Sequence, residues 1–194
     1  MSLDSLRRKK MEGLVRRRVL LEEAGIVRAL RSIAQKIVEQ NQDLSRVILL
    51  GIRTAGAHLA KRLQVLIRDE KQCEVAVGAV DITLYRDDVF TGLPRPDVGP
   101  TELPGPVHGT RVILVDDVLF TGRTIRAAME ELIEFGRPER VQLAVLVDRG
   151  HRELPIQPDY VGLRVETTRE QSVRVMLREL GETDEVVLCE KSSP

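Results

Sequence analysis

Aromatic side chains are scarce: tryptophan is absent, and three phenylalanines and two tyrosines make up only 3% of the 194 residues. The hydrophobic 42% is therefore almost wholly aliphatic, and the length suits one domain with a sizeable core. Cysteine is equally sparse. Cys73 and Cys189 form no CxxC pair and no metal-ligand spacing, which leaves two buried or idle thiols in a reducing compartment. Net charge is missing too, because 30 basic and 30 acidic residues cancel. That excludes a global attraction to nucleic acid and leaves room only for a local basic patch. No apolar run approaches the roughly 18–20 residues of a membrane span. The charged N-terminus lacks the apolar segment of a signal peptide. The expectation is a cytoplasmic chain with no membrane contact.

What is present is a regular alternation. Residues 1–23 form a basic extension, with Arg7-Arg8-Lys9-Lys10 and Arg16-Arg17-Arg18, and read as a solvated helix or a frayed tail. Residues 24–194 read as a single domain. Ile26, Leu30, Ile33 and Ile37 stand at helical spacing over 26–40. A short apolar strand follows at 47–51, a turn at 53–56 and a helix at 57–68. Residues 75–86 are β-branched and strand-like, and 87–110 form a long proline- and glycine-rich loop of the length that is usually functional. Strand 111–115, helix 123–135 stopped by Gly136, and strand 141–147 come next. The rest reads as irregular until an edge strand at 186–190. Strands apolar on both faces, alternating with helices, predict an α/β fold with a mainly parallel sheet covered on both sides. Ligands bind such sheets at the carboxyl ends of the strands, where loops 52–56, 116–123 and 148–155 fall.

The segment Val112–Thr124, VILVDDVLFTGRT, concentrates the chemistry. Four apolar residues run into Asp116-Asp117, and Phe120–Arg123 leads into a helix. A helix N-terminus exposes N–H groups and partial positive charge, so it holds phosphate. Gly122 allows close approach, Thr121 and Thr124 add hydroxyls, and Arg123 adds charge. The two carboxylates cannot serve the same phosphate, since like charges repel. They suit sugar hydroxyls or a divalent cation. A ligand with a 5′-phosphate, a ribose diol and bound Mg²⁺ satisfies both halves. No GxxxxGK[ST] occurs, so the motif is not a Walker loop.

This segment resembles the phosphoribosylpyrophosphate (PRPP) signature of type I phosphoribosyltransferases. DITLYRDD (81–88), GRP (136–138) and VQLAVLVDRGHRELPI (141–156) narrow the resemblance to the bifunctional regulators of bacterial pyrimidine operons, over roughly residues 24–190. The resemblance implies the type I fold, with a flap at 86–110 and a hood at about 148–170. It implies conversion of uracil and PRPP to UMP and pyrophosphate, with Mg²⁺ carried by PRPP and no further metal site. Asp116, Asp117 and the flap residue Arg86 are then the catalytic candidates. Arg53, Thr54, Ala55 and Gly56 would hold pyrophosphate. Asp116 and Asp117 would hold the ribose, Thr121, Gly122, Arg123 and Thr124 the 5′-phosphate, and Val118, Leu119 and Phe120 complete the loop. Arg149 and Val161 would belong to the uracil hood. Purine-using relatives carry an Asp where this chain has Phe120, which argues against a purine substrate. The second implied activity is UMP-dependent binding of pyrimidine-operon leader mRNA, for which His151, Arg152 and Arg31 are candidates; a charged hood loop is the plainer reading of the first two. A homodimer or higher homo-oligomer is also implied.

The chain departs from the family pattern in places. Arg31-Ser32-Ile33-Ala34-Gln35 stands where Thr-Arg-Ile-Ala-His is usual, Gln157 replaces an Arg, and Gly162–Thr168 lacks a usual Lys and Pro. Phosphate contacts come mainly from Arg and Lys, so these changes predict weaker RNA binding. Two further readings therefore stay open: a phosphoribosyltransferase without RNA binding, and a nucleotide-sensing RNA-binding regulator with little catalysis. Thr54-Ala55-Gly56 replaces Thr-Arg-Gly, a change that backbone binding of pyrophosphate tolerates.

Overall fold

The computed structural model describes residues 14–82 and 101–191. A five-stranded parallel sheet is built from β2 (Val47–Ile52), β3 (Ala76–Val80), β4 (Arg111–Leu119), β5 (Arg140–Asp148) and β6 (Tyr160–Arg164), in the order β3-β2-β4-β5-β6. Helix α1 (Glu23–Gln40) and helix α2 (Ala55–Lys71) cover one face, and α3 (Arg123–Glu134) covers the other. This is the doubly wound arrangement that the alternation predicts. Its physical cause is visible in β2, where all six residues are buried, so the strand needs apolar cover on both sides.

The helices form where apolar residues recur every three or four positions. Ile26, Leu30, Ile33 and Ile37 of α1 are all buried, and they join Leu59, Leu63 and Ile67 of α2 in one apolar cluster. On the opposite face Ile125, Ala128 and Leu132 of α3 pack on Ile48, Leu50, Val112 and Leu114.

A second, antiparallel sheet of order β1-β8-β7 caps the α1/α2 side, formed by β1 (Leu14–Glu22), β7 (Ser172–Met176) and β8 (Glu185–Lys191). It corrects three sequence expectations. Residues 14–22 are neither helix nor tail but a strand paired with β8, from Leu14↔Lys191 to Glu22↔Glu185. The stretch read as irregular contains β6 and β7. Residues 186–190 belong to the central strand of this sheet, not an edge. Pairing decides the last point: β8 is bonded to β1 along one edge and to β7 along the other, and Val186, Val187, Leu188 and Cys189 are all buried there.

A charged cluster joins this small sheet to α2. Arg62 donates from Nη1 to Asp184 Oδ2 at 2.8 Å and from Nη2 to Asp184 Oδ1 at 2.8 Å, and its Nε reaches Glu179 Oε1 at 2.7 Å. The Arg178 backbone N–H and its Nε add to Asp184 at 2.8 and 3.2 Å, and Arg178 also pairs with Glu23 at the start of α1. The Asp184 side chain is only 1% exposed. Burial alone pushes its carboxyl up, but the bonds from Arg62 and Arg178 outweigh that and hold it at about 2.

The loop read as 87–110 is anchored over its described part, residues 101–110. Ala79 and Glu102 exchange both backbone hydrogen bonds, at 2.9 and 2.7 Å, so the chain returns along the outer edge of β3. Val107 then buries itself in the α3-side cluster.

Candidate active site

The sheet order creates the site. The connection from β2 through α2 to β3 runs one way, and that from β4 through α3 to β5 runs the other, on the opposite face. A crevice therefore opens between the carboxyl ends of β2 and β4, the topological switch point where such sheets bind ligands. The register makes the opening explicit. Pairing of β2 with β4 stops at Gly51↔Val115, whereas β4 continues along β5 through Asp116↔Val145 to Leu119↔Asp148. Asp116 and Asp117 thus stand on the strand immediately beyond its last partner in β2. The expected strand end at residue 115 is corrected: β5 supports β4 for four more residues, through Leu119.

Asp116 is 6% exposed, and its Oδ1 accepts the Asp117 backbone N–H at 2.9 Å. Asp117 is half-buried, and its Oδ1 accepts the Val118 N–H at 2.9 Å. The next two side chains enter the core: Val118 packs on the α1/α2-side cluster and Leu119, 1% exposed, on the α3 side. Among the loop candidates these two offer the crevice only their backbone.

Opposite, β2 ends in the turn Arg53-Thr54, whose peptide bond is cis, and α2 begins at Ala55. Gly56 lies in its first turn, where an added Cβ would stand 2.2 Å from the Val115 carbonyl oxygen. Only glycine lets the turn approach β4 this closely. Arg53 is ion-paired with Glu102 at 2.7 Å, linking the turn to the chain returning along β3. A cleft of about 340 Å³ opens beside the turn, lined by Arg53, Thr54, His58, Lys61 and Glu102 among others. None of residues 116–124 lines it, so the switch point rather than this cleft defines the site.

The phosphate-binding candidate is the start of α3. Gly122 is its N-cap at φ +94°, a backbone conformation that L side chains rarely adopt. Thr121 Oγ1 accepts the Arg123 N–H at 3.4 Å, and Thr124 is exposed in the first turn. The first turn of a helix has N–H groups without helical partners, which suits an anion. The Arg123 side chain pairs with Glu153 at 3.0 Å. Glu153 also pairs with Arg169 at 3.1 Å, and the hydrogen bonds from Arg123 and then Arg169 lower its carboxyl below the ordinary range.

The hood candidates separate. Arg149 lies at the crevice end of β5, 6% exposed, with its guanidinium 4.0 Å from the centre of the Phe120 ring. It donates to Thr167 Oγ1 at 3.2 Å and to the Thr168 carbonyl at 2.9 Å, and burial lowers its pKa. His151 joins this group, edge-on to Phe120 at 5.8 Å, with Nε2 2.7 Å from the Thr167 carbonyl oxygen. Val161 is different. It sits within β6 opposite Val145, which pairs in turn with Asp116, and it packs on the α3-side cluster. A five-residue strand with a central glycine lacks the length that would have marked it.

Of the RNA candidates, Arg31 is exposed on α1. Arg152 is turned inward, with a side chain 14% exposed. Arg86 lies outside the described residues, as does the flap up to residue 100. Sequence reasoning missed Asp148, the acceptor that holds Arg152. The opposite charges four residues apart in DRGHR were the available signal.

Comparison with known proteins agrees with this geometry. The family model described as phosphoribosyl transferase domain matches residues 19–179. The chain belongs to the phosphoribosyltransferase family. It is 49% identical to "Bifunctional protein PyrR" of Halalkalibacterium halodurans over 178 residues, covering 91% of this chain and 99% of that one. The protein of the same name from Geobacter sulfurreducens is 49% identical over 170 residues, covering 88% and 96%. Among solved structures, a hypoxanthine phosphoribosyltransferase from Staphylococcus aureus superposes with a TM-score of 0.64 at 20% identity, covering 92% of this chain and 94% of that one. The hypoxanthine phosphoribosyltransferase of Trypanosoma cruzi gives 0.69 at 15% identity, covering 91% and 98%. These structures share the fold. The chain is a type I phosphoribosyltransferase by sequence and by architecture.

Proposed function

We propose that this phosphoribosyltransferase transfers the phosphoribosyl group of PRPP to uracil, giving UMP and pyrophosphate, and that the UMP-bound protein regulates pyrimidine genes by binding leader mRNA. The observation that carries the reading is the switch-point crevice. It sets Asp116-Asp117 and the glycine-capped start of α3 opposite the 53–56 turn. The order of these parts suits a molecule with a phosphate at one end, a ribose between and a pyrophosphate at the other.

In this reading Asp116 and Asp117 accept hydrogen bonds from the ribose hydroxyls. Thr121, Gly122, Arg123 and Thr124 take the 5′-phosphate, and Arg53–Gly56 takes the pyrophosphate through its backbone. Arg86 acts from the flap. Phe120, in contact with Arg149 and His151, would stand beside the base, and this group would form its wall. Displacement of pyrophosphate builds positive charge on the sugar ring, and the carboxylates beside it stabilise that charge. Positioning and electrostatics then supply most of the acceleration.

Mg²⁺ fits the same residues. A hard divalent cation is held through one or two carboxylates together with substrate phosphates, and the Asp pair supplies that donor type. When bound it would neutralise charge on the departing pyrophosphate.

The catalytic half is tested by supplying labelled uracil, PRPP and Mg²⁺, with hypoxanthine and orotate in parallel. UMP is expected from uracil, and neither control is expected to react. Turnover of hypoxanthine in preference to uracil would overturn the assignment. The regulatory half is tested by filter binding of leader RNA with and without UMP. Retention is expected to rise with UMP and fall steeply with salt, since phosphate contacts dominate such affinity. No retention at low salt with saturating UMP would remove the regulatory claim and leave the enzyme.

A further inference from the structure

Arg152 stands in a loop whose charge invites an RNA role, yet its guanidinium is used inside the molecule. Nη2 pairs with Asp148 Oδ1, Nη1 donates to the Phe120 carbonyl at 2.9 Å and to the Gly150 carbonyl at 3.0 Å, and Nε donates to the Ile156 carbonyl at 3.1 Å. Asp148 is itself only 11% exposed. These four acceptors lie on the end of β5, the phosphate loop and both ends of the hood loop.

The same two loops meet elsewhere. The Thr121 carbonyl accepts the N–H of Glu153 at 3.0 Å and of Leu154 at 3.3 Å, and the Leu119 carbonyl accepts that of Arg149 at 3.1 Å. A Cβ on Gly122 would stand 3.3 Å from Ile156 Cδ1. The phosphate loop thus lies directly against residues 149–156, and beside the exposed Arg123–Glu153 pair it is the inward-turned Arg152 that ties its main chain to both ends of that segment.

We infer that Arg152 is a positioning residue: it sets the phosphate loop through the Phe120 carbonyl and so couples 5′-phosphate binding to the hood that faces the base. The inference rests on the assignment of 119–124 to the nucleotide. Lysine cannot substitute, because its donors share one nitrogen, whereas the acceptors here are met from three nitrogens of a planar fork. The pyrophosphate turn at 53–56 is not bonded to Arg152, so its ligand should be insensitive to the change.

Calorimetric titration of UMP and of inorganic pyrophosphate, each with Mg²⁺, into the full chain and into Arg152→Lys tests this. UMP binding is expected to weaken about tenfold, the effect of losing one or two such bonds, with pyrophosphate binding unchanged. Asp148→Asn, which frees Nη2 but leaves Arg152 in place, is expected to move UMP affinity in the same direction by less, and it serves if Arg152→Lys fails to fold. Wild-type UMP affinity in both variants would overturn the inference, and loss of RNA retention alone would assign Arg152 to RNA instead. Equal weakening of UMP and pyrophosphate would reduce it to a general stabiliser. A wild-type chain that bound no UMP would sink the functional reading itself, and the inference with it.

Discussion

Replacing both Asp116 and Asp117 by Asn is expected to lower kcat/KM for UMP formation by a factor on the order of 10² to 10⁴. Each carboxylate would contribute a charge-assisted hydrogen bond to the ribose diol, worth about 1.5–3 kcal/mol. Two such losses in the transition state convert to that range of rates. Asparagine has nearly the same shape, and its amide oxygen can still accept the Asp117 and Val118 N–H groups that the carboxylates accept now. The melting temperature should therefore change little, which separates lost chemistry from lost structure. The effect should fall mainly on kcat, because the charge on the sugar is largest in the transition state. Steady-state kinetics of the double variant and of each single variant measure this. Unaltered turnover in the double variant would show that the sugar is held elsewhere.

The second large effect is on stability. Asp184→Ala is expected to destabilise the fold by about 3–5 kcal/mol, the usual consequence of removing one partner of a buried ion pair. The side chain is almost fully covered and accepts from the Arg62 guanidinium, the Arg178 N–H and the Arg178 guanidinium. Its loss would leave Arg62, at the junction of α2 and the small sheet, paired only with Glu179 among the described residues. Urea unfolding of the variant and the wild type measures the difference; a loss below about 1 kcal/mol would mean that the cluster is solvated in solution. The same group predicts a pH dependence. Its carboxyl is held at about 2 in the folded chain, below the ordinary range of about 3.9 in the unfolded chain. A depressed carboxylate stabilises the fold above the unfolded value and loses that contribution as pH falls through the folded one. Roughly 2 kcal/mol of stability is therefore present at neutral pH and disappears between about pH 5 and pH 2. Asp184→Ala should flatten that part of the stability profile.

The parts of the site that the sequence revealed are local. Asp116 to Thr124 is one contiguous run whose placement follows from its own chemistry and its neighbours: carboxylates at a strand end, a glycine at a turn, hydroxyls and an arginine at a helix start. The strands read from 47, 111 and 141 were equally readable, because burial on both faces leaves an unbroken apolar run, and the one read from 75 by its β-branched residues although its first half is open. Helices α1 to α3 followed from apolar spacing, with ends displaced by at most three residues.

What failed was what depends on a distant partner. The triple arginine of residues 16–18 reads as a solvated surface, yet its backbone completes a sheet with β8, some 170 residues later. The strand is set by the partner's unpaired N–H and C=O groups, not by its own side chains. Residues 160–164 read as irregular because the segment is short and glycine-bearing; only pairing with β5 makes it a strand. Arg152 read as a surface cation because sequence shows its charge and not its acceptors, three of which are main-chain carbonyls that the fold brings to it. The sequence by itself determined the chemistry available at the end of β4 and the parallel, two-faced sheet that carries it. The tertiary structure alone decided that β2 stops where Asp116 begins, that the 53–56 turn faces it, and that the hood and phosphate loops are one bonded unit. Register, crevice and cross-loop bonds arise between segments far apart in the chain, and no local pattern encodes which of them will meet.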